Sequence, residues 1–295
     1  MKEKIEILEV GLRDGLQNVN RNISIENRLS IIHGLIDSGI RNIQVASFVN
    51  PKRVPQMACA EELINKMPTK TDIYYSGLVF NQEGVERAIR SKLNKIETSI
   101  SVSEGYNKIN LGMNTIEAMN NLKHIINMAN VNNLNIRAGL QCVWGCYYDG
   151  KTSQKKILNM LSDILDMGVK KISLCDTFGL AFPEDVSILL EKILKHFPEL
   201  EIYMHLHNTY GRGLMNLIAS MEYKIKGIDT SLGGIGGSPF IKTSRGNIAT
   251  EETVDYLHNN GIETGIDIRK LSTISKIIEN MIGESYFTGE LYKQL

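Results

Sequence analysis

The chain has 295 residues, 42% of them apolar and 22% charged, enough to bury a large core in one big α/β domain or in two small ones. Lysine plus arginine and aspartate plus glutamate balance at 33 each, without long blocks of either sign. That balance argues against a nucleic-acid partner and against a membrane surface, and no apolar stretch approaches the ~20 residues of a spanning helix.

The N-terminal residues run almost directly into Ile5–Val10, which reads as a strand rather than a signal peptide, so a cytoplasmic protein is expected. Further β-branched or apolar runs follow at Asn42–Ala46, Ile73–Leu78, Lys95–Ile100, Asn135–Val143, Lys171–Leu174, Glu201–Leu206 and Gly227–Thr230. Helical periodicity fills the intervals, near 25–38, 57–67, 82–91, 114–131, 153–167, 184–196 and 212–222, with another helix near 250–260. Strands that alternate with helices pair in parallel, and eight such units in one chain predict a (β/α)8 TIM barrel over residues 1–295 as a single domain. A doubly wound open sheet is the alternative, but Gly11-Leu12-Arg13-Asp14-Gly15 is a poor substitute for the dinucleotide-binding turn that such a sheet carries after its first strand. The segment after Gly265 predicts one or two extra C-terminal helices on the outside of the barrel. Four cysteines, Cys59, Cys142, Cys146 and Cys175, lack zinc-finger spacing, and packing explains Cys142, Cys146 and Cys175.

In a TIM barrel, chemistry is built where strands end and the following loops begin. Arg13 and Asp14 follow the first strand, Asp176-Thr177 follows the sixth, and His205 and His207 end the seventh. Side chains two apart on a strand point the same way, so the two imidazoles could reach one metal ion; a surface or packing role for the pair is the competing reading. A carboxylate, two imidazoles and a side-chain carbonyl suit an octahedral Mg²⁺ or Mn²⁺, with Zn²⁺ as the alternative. The eighth strand runs into Gly233-Gly234-Ile235-Gly236-Gly237, a segment able to approach a ligand closely or to move as a lid.

Six motifs in order carry a resemblance. Gly11-Leu12-Arg13-Asp14-Gly15-Leu16-Gln17-Asn18, Ser47-Phe48-Val49-Asn50-Pro51-Lys52-Arg53-Val54-Pro55-Gln56-Met57 and Gly145-Cys146-Tyr147-Tyr148-Asp149-Gly150 are three of them. Asp176-Thr177, His205-Leu206-His207-Asn208-Thr209-Tyr210-Gly211 and Gly246-Asn247-Ile248-Ala249-Thr250-Glu251 complete the set. Together they resemble the hydroxymethylglutaryl-CoA lyase family, within the wider metal-dependent barrel lyases and Claisen-type synthases.

The resemblance implies retro-Claisen cleavage of a 3-hydroxy-3-methylglutaryl-CoA-like thioester to acetyl-CoA and a keto acid. It implies Asp14, His205, His207 and Asn247 as metal ligands and Arg13 as the cation beside the reacting thioester, with Asp176, Thr209 and Glu251 orienting the ligands or capping the helices that follow. Asn110 and Lys108, after the fourth strand, are the implied CoA contacts, helped by Lys52, Arg53 and Lys151. The expected partner is therefore a small-molecule acyl-CoA, with a homodimer left open.

Three positions depart from the family pattern. Ser238 stands where the family has a cysteine that transfers protons, Gln44 where it has a carboxylate, and Gly139 where it has a tyrosine. A hydroxyl is a poor exchangeable acid near neutrality, and an amide keeps a carboxylate's shape without its basicity. Slow cleavage of hydroxymethylglutaryl-CoA itself is the expectation, and an altered substrate is favoured over a dead scaffold. A Claisen synthase or a 4-hydroxy-2-oxo acid aldolase is the nearest alternative, against which Leu16 counts, since those synthases carry a glutamate there. A non-catalytic acyl-CoA- and metal-binding homologue is the third reading.

Overall fold

The computed structural model describes residues 5–237 and 246–295, and within them eight parallel strands close into a barrel. The strands are β1 (Glu6–Glu9), β2 (Asn42–Ser47), β3 (Tyr74–Leu78), β4 (Lys95–Ser101), β5 (Asn135–Gln141), β6 (Lys171–Asp176), β7 (Glu201–Leu206) and β8 (Gly227–Thr230). Each pairs with its neighbours in sequence, and β8 returns to β1, where Glu6 pairs with Gly227 and Glu9 with Thr230. Among the described residues the helices between or just after the strands are α1 (Ile25–Asp37), α2 (Ala60–Lys66), α3 (Gln82–Arg90), α4 (Glu104–Asn110), α5 (Thr115–Val131), α6 (Gln154–Asp166), α7 (Pro183–His196), α8 (Gly213–Ser220) and α9 (Thr250–Asn259). A tenth, α10 (Ile268–Ile282), packs on α1, where a side chain on Gly34 would collide with Ile274; the short α11 (Leu291–Gln294) follows and buries Tyr292.

Alternation along the strands sorts the side chains into two populations. Outward positions such as Ile43, Val45, Ile96, Ile100, Leu140, Ile172, Leu174, Ile202, Met204 and Ile228 are fully buried between the sheet and its helices. This is the main hydrophobic core. Inward positions are polar or small: Gln44, Ser76, Glu97, Ser99, Arg137, Gly139, Ser173, Cys175, His205 and Asp229. A barrel centre is ordinarily packed with branched aliphatics, so this interior is built to be open and charged.

Among the strand ends that differ from the sequence expectation, those of β1 and β5 have a visible cause. β1 stops at Glu9 because the Val10 carbonyl turns to accept the backbone N–H groups of Arg13, Asp14 and Gly15 at 3.1, 2.7 and 3.3 Å. β5 stops at Gln141, two residues short of the expected Val143, because Cys142 takes a left-handed conformation with φ 59°. The Thr177 hydroxyl accepts from the Cys142 N–H at 2.9 Å and the Thr152 hydroxyl donates to the Cys142 carbonyl at 2.7 Å, which holds that turn. Helix α4 lies where the sequence predicts no helix; its N-terminus is capped by Ser103, whose side chain accepts from Tyr106 N–H at 3.0 Å.

Candidate metal centre and active site

The tight turn after β1 aims Arg13 and Asp14 into the barrel mouth, while β7 delivers His205 and His207 on one face. Asn247 arrives from the segment after β8. It pairs with His207 as an isolated antiparallel bridge, pinned by Asn208 N–H to the Gly246 carbonyl at 2.9 Å and Ile248 N–H to the Leu206 carbonyl at 3.1 Å. Gly236 is what lets the amide reach in: its φ is +124°, and a Cβ there would lie 2.6 Å from Asn247 Nδ2.

The ligand atoms converge. His205 Nε2 and His207 Nε2 face each other at 3.2 Å, and Asp14 Oδ2 lies 4.0 and 3.9 Å from them. Asp14, His205 and His207 form the one group of three or more such side chains, among the described residues, whose ligand atoms all fall within 4.8 Å of one another. The Asn247 amide nitrogen donates to Asp14 Oδ2 at 2.8 Å, leaving its buried Oδ1 without a partner. Turning that amide over would bring Oδ1 to the carboxylate, an arrangement that a shared cation satisfies. Two facing imidazole nitrogens, a carboxylate oxygen and an orphaned amide oxygen thus fit a divalent metal by their chemistry.

Protonation agrees with that donor set. Burial and the neighbouring His205 push the His207 imidazolium down to about 4, so the ring is neutral at pH 7. Burial works to raise Asp14, but the Arg13 guanidinium and the two imidazoles outweigh it and hold the carboxyl at about 2. Asp14 is therefore a carboxylate, gripped through Oδ1 by Arg13 and by Gln17 Nε2 at 3.1 Å.

These groups open on a cavity of about 940 Å³ whose lining includes Arg13, Gln44, Gly139, His205, His207 and Asn110. Gln44 accepts a hydrogen bond from Arg13 Nε, and a bulge in β2 between Gln44 and Ala46 sets its direction. Asn110 donates to Gln141 Oε1 at 3.4 Å on the cavity wall, and Arg53 is also part of the lining. Lys108 is not: it pairs with Glu104 at 2.6 Å on the outer face of α4, and Lys151 likewise pairs with Asp185 at 3.2 Å. Asp176 also stands behind the wall, its two oxygens accepting from the N–H groups of Leu180 and Ala181 at 2.8 and 3.1 Å, so its visible work is to shape the β6 loop; burial raises its carboxyl to about 6. Glu251 accepts from Gly233 N–H at 2.9 Å and from the Ser275 hydroxyl, tying the glycine-rich segment to α10. Ser238 lies outside the described residues.

Sequence reasoning missed a buried charged network below the mouth. Arg137 on β5 binds Glu97 on β4 and Asp229 on β8, at 2.5 and 2.6 Å. The available signal was a charged residue within each of three short strands, Glu97 in β4, Arg137 in β5 and Asp229 in β8.

Comparison with known proteins decides the family. A profile described as HMGL-like matches residues 4–278. The chain belongs to the HMGL-like family. Among curated relatives of this HMGL-like chain, the hydroxymethylglutaryl-CoA lyase YngG of Bacillus subtilis is 35% identical, over 96% of this chain and 94% of that one. Among solved structures, the B. subtilis HMG-CoA lyase superposes with a TM-score of 0.95 at 34% identity, covering 99% of this chain and 98% of the other. An HMG-CoA lyase from Acinetobacter baumannii, solved in complex with coenzyme A and 3-methylmalate, gives 0.92 at 29% identity, over 99% and 94%. No helix among the described residues is long and apolar enough to cross a membrane.

Proposed function

We propose that this HMGL-like chain is a divalent-metal-dependent carbon–carbon lyase that cleaves a 3-hydroxy-3-methylglutaryl-CoA-like thioester to acetyl-CoA and a keto acid. The observation that carries the reading is the convergence of Asp14, His205, His207 and Asn247 on one point of the mouth, with Arg13 alongside. Those four side chains would hold the metal, Mg²⁺ or Mn²⁺ on the balance of oxygen and nitrogen donors and Zn²⁺ as the alternative. When bound, the ion supplies a Lewis acid that binds oxygens of the substrate and lowers the pKa of a hydroxyl.

The reaction breaks the C2–C3 bond. The hydroxyl on C3 loses its proton and becomes a carbonyl, the bond's electron pair moves into the thioester as an enolate, and C2 then takes up a proton to give acetyl-CoA. Arg13 is held against the cavity by Gln44 and Asp14, so its guanidinium is already placed where the enolate oxygen develops. Gln44 orients that guanidinium but has no proton to exchange, and Ser238 is the proposed partner for the proton delivered to C2. Asn110 and Arg53 are proposed to meet the CoA portion at the cavity's outer end, consistent with the coenzyme A in the related structure. We read the enzyme as cytoplasmic and as a homodimer, which light scattering on purified protein would test.

A larger substituent at C3 is the second reading, favoured by the small residues Ser99, Gly139 and Cys175, which line the cavity from three neighbouring strands. The backbone at Gly139 is itself closely packed, a Cβ there lying 3.2 Å from Ser99 Cβ, so any added room lies in front of these residues rather than at the glycine. Incubating the purified protein with Mg²⁺ or Mn²⁺ and a panel of 3-hydroxyacyl-CoA thioesters, then measuring acetyl-CoA by mass spectrometry, tests both. Acetyl-CoA is expected from hydroxymethylglutaryl-CoA or from a homologue with a longer C3 branch. Its absence from every member of the panel would sink the lyase reading.

A further inference from the structure

The floor of the cavity carries a chain of contacts that ends on a metal-facing imidazole. Arg137 Nε and Nη2 reach Glu97 Oε2 at 3.0 and 2.5 Å, and Nη1 and Nη2 reach the two oxygens of Asp229 at 2.6 and 2.9 Å. Glu97 is steadied in turn by the Ser76 hydroxyl at 2.7 Å, and the Tyr203 ring lies 4.8 Å from the guanidinium carbon. Asp229 Oδ2 then meets the Ser173 hydroxyl at 3.3 Å and His205 Nδ1 at 3.1 Å. All the charged members are buried.

Two features make this more than a buried ion pair. A bidentate fork fixes both oxygens of Asp229, so the carboxylate cannot turn away from the imidazole. A carboxylate whose two oxygens are both engaged by a guanidinium fork is an acceptor toward its remaining neighbours. His205 Nδ1 must therefore carry the hydrogen, which leaves the lone pair on Nε2, the nitrogen 3.2 Å from His207 Nε2 and facing Asp14. Lysine could supply the charge at position 137 but not the fork.

We propose that Arg137 is a positioning residue: through Asp229 it fixes the orientation and the tautomer of His205, so that Nε2 is presented as a ligand before any metal arrives. Glu97 and Tyr203 serve this role by holding the guanidinium from its far side. The inference rests on the reading of His205 as a metal-facing group, and one of its two measurements needs no metal.

The first measurement is the ¹⁵N chemical shifts of the His205 ring in metal-free protein, and the second is Mn²⁺ affinity by calorimetry with the metal alone. Wild type should show a single Nδ1–H tautomer. Arg137→Lys should show a mixture and bind Mn²⁺ on the order of 10- to 100-fold more weakly, the usual effect of removing a group that orients a ligand. Asp229→Asn should weaken binding in the same range, and the double variant should be no weaker than Asp229→Asn alone, because Arg137 acts through Asp229. An unchanged tautomer and unchanged affinity in Arg137→Lys would overturn the proposal, as would losses that multiply in the double variant. Should Arg137→Lys fail to fold by circular dichroism, Glu97→Gln replaces it, with the same direction and a smaller loss expected and no shift in either readout counting against the proposal. If wild type bound no Mn²⁺, the metal reading would fall by itself and the ring shifts would still decide the role of Arg137.

Discussion

The floor and the rim of this barrel both bury charge, and they treat it differently. At the floor, Arg137 makes four hydrogen bonds to two carboxylates, and Ser76, Ser173 and His205 engage their oxygens further. At the rim, two imidazole nitrogens face each other 3.2 Å apart and the Asn247 amide oxygen has no partner. Satisfied polar networks rigidify a fold, whereas a carboxylate, two imidazoles and an unpartnered amide oxygen gathered at one point suit a shared cation. The floor is complete as folded; the rim is built for a ligand.

The sharpest way to break that contrast is to remove a rim nitrogen. His207→Ala should abolish stoichiometric metal binding and with it cleavage, while the thermal transition of metal-free protein stays near that of wild type. Equal metal content in the two proteins, by elemental analysis, would mean that the rim is not the site. Next in size is Arg13→Lys, which keeps the charge and loses the fork; turnover should fall on the order of 10²–10³-fold with metal content retained. Normal turnover on the true substrate would remove Arg13 from the chemistry.

Restoring acid–base groups sharpens the comparison from the other side. Gln44→Glu combined with Ser238→Cys should raise cleavage of hydroxymethylglutaryl-CoA by about 10²-fold, the low end of a general acid–base contribution. A wild-type protein already cleaving that substrate at an ordinary lyase rate would show that the departures cost nothing. A smaller effect is expected from Gly236→Ala. The added Cβ would displace the Asn247 amide, and metal affinity should drop by about tenfold in a titration with Mn²⁺, the near end of what disturbing a ligand's support costs.

The smallest effect concerns stability. Glu9 accepts from the backbone N–H groups of Gly11 and Leu232 at 2.8 and 3.0 Å and from the Thr250 hydroxyl at 2.6 Å, yet burial still raises its carboxyl to about 7. Burial does the same to Glu251, also to about 7. A carboxyl raised in the folded state favours folding fully below its unfolded value near 4.5, and that contribution is lost as the pH climbs through 7. Glu9→Gln mimics the protonated form. It should leave stability at pH 5 nearly unchanged and add on the order of 2–3 kcal/mol at pH 8, read from denaturant midpoints. An identical pH slope in variant and wild type would contradict the burial of a charge at this position.

Much of the architecture was legible because it follows from local pattern. The expected bounds of β7 and β8 match those found, and the helices from α1 to α9, α4 excepted, fall within a few residues of their expected places. At the end of β5 the pattern failed because contacts from outside the strand had intervened. The left-handed turn at Cys142 is held by Thr177 and Thr152, which no window around β5 contains. Helix α4 has seven residues, too few for an apolar stripe to declare itself.

For the site, the sequence by itself determined the residue types of the candidate metal centre and their strand positions. Alternation on β7 put His205 and His207 on one face, and the barrel placed Asp14 at the same end. Only the tertiary structure decided which polar residues reach the cavity. Asp176 and Lys108 carry suitable chemistry, but backbone N–H groups claim the first and a helix neighbour claims the second. It alone joined Arg137, Glu97 and Asp229, which are 40 and 92 residues apart, into one network. Spacing within a strand is fixed by covalent geometry and can be read locally. Contacts across the barrel depend on how eight strands close, and that closure is a property of the whole chain.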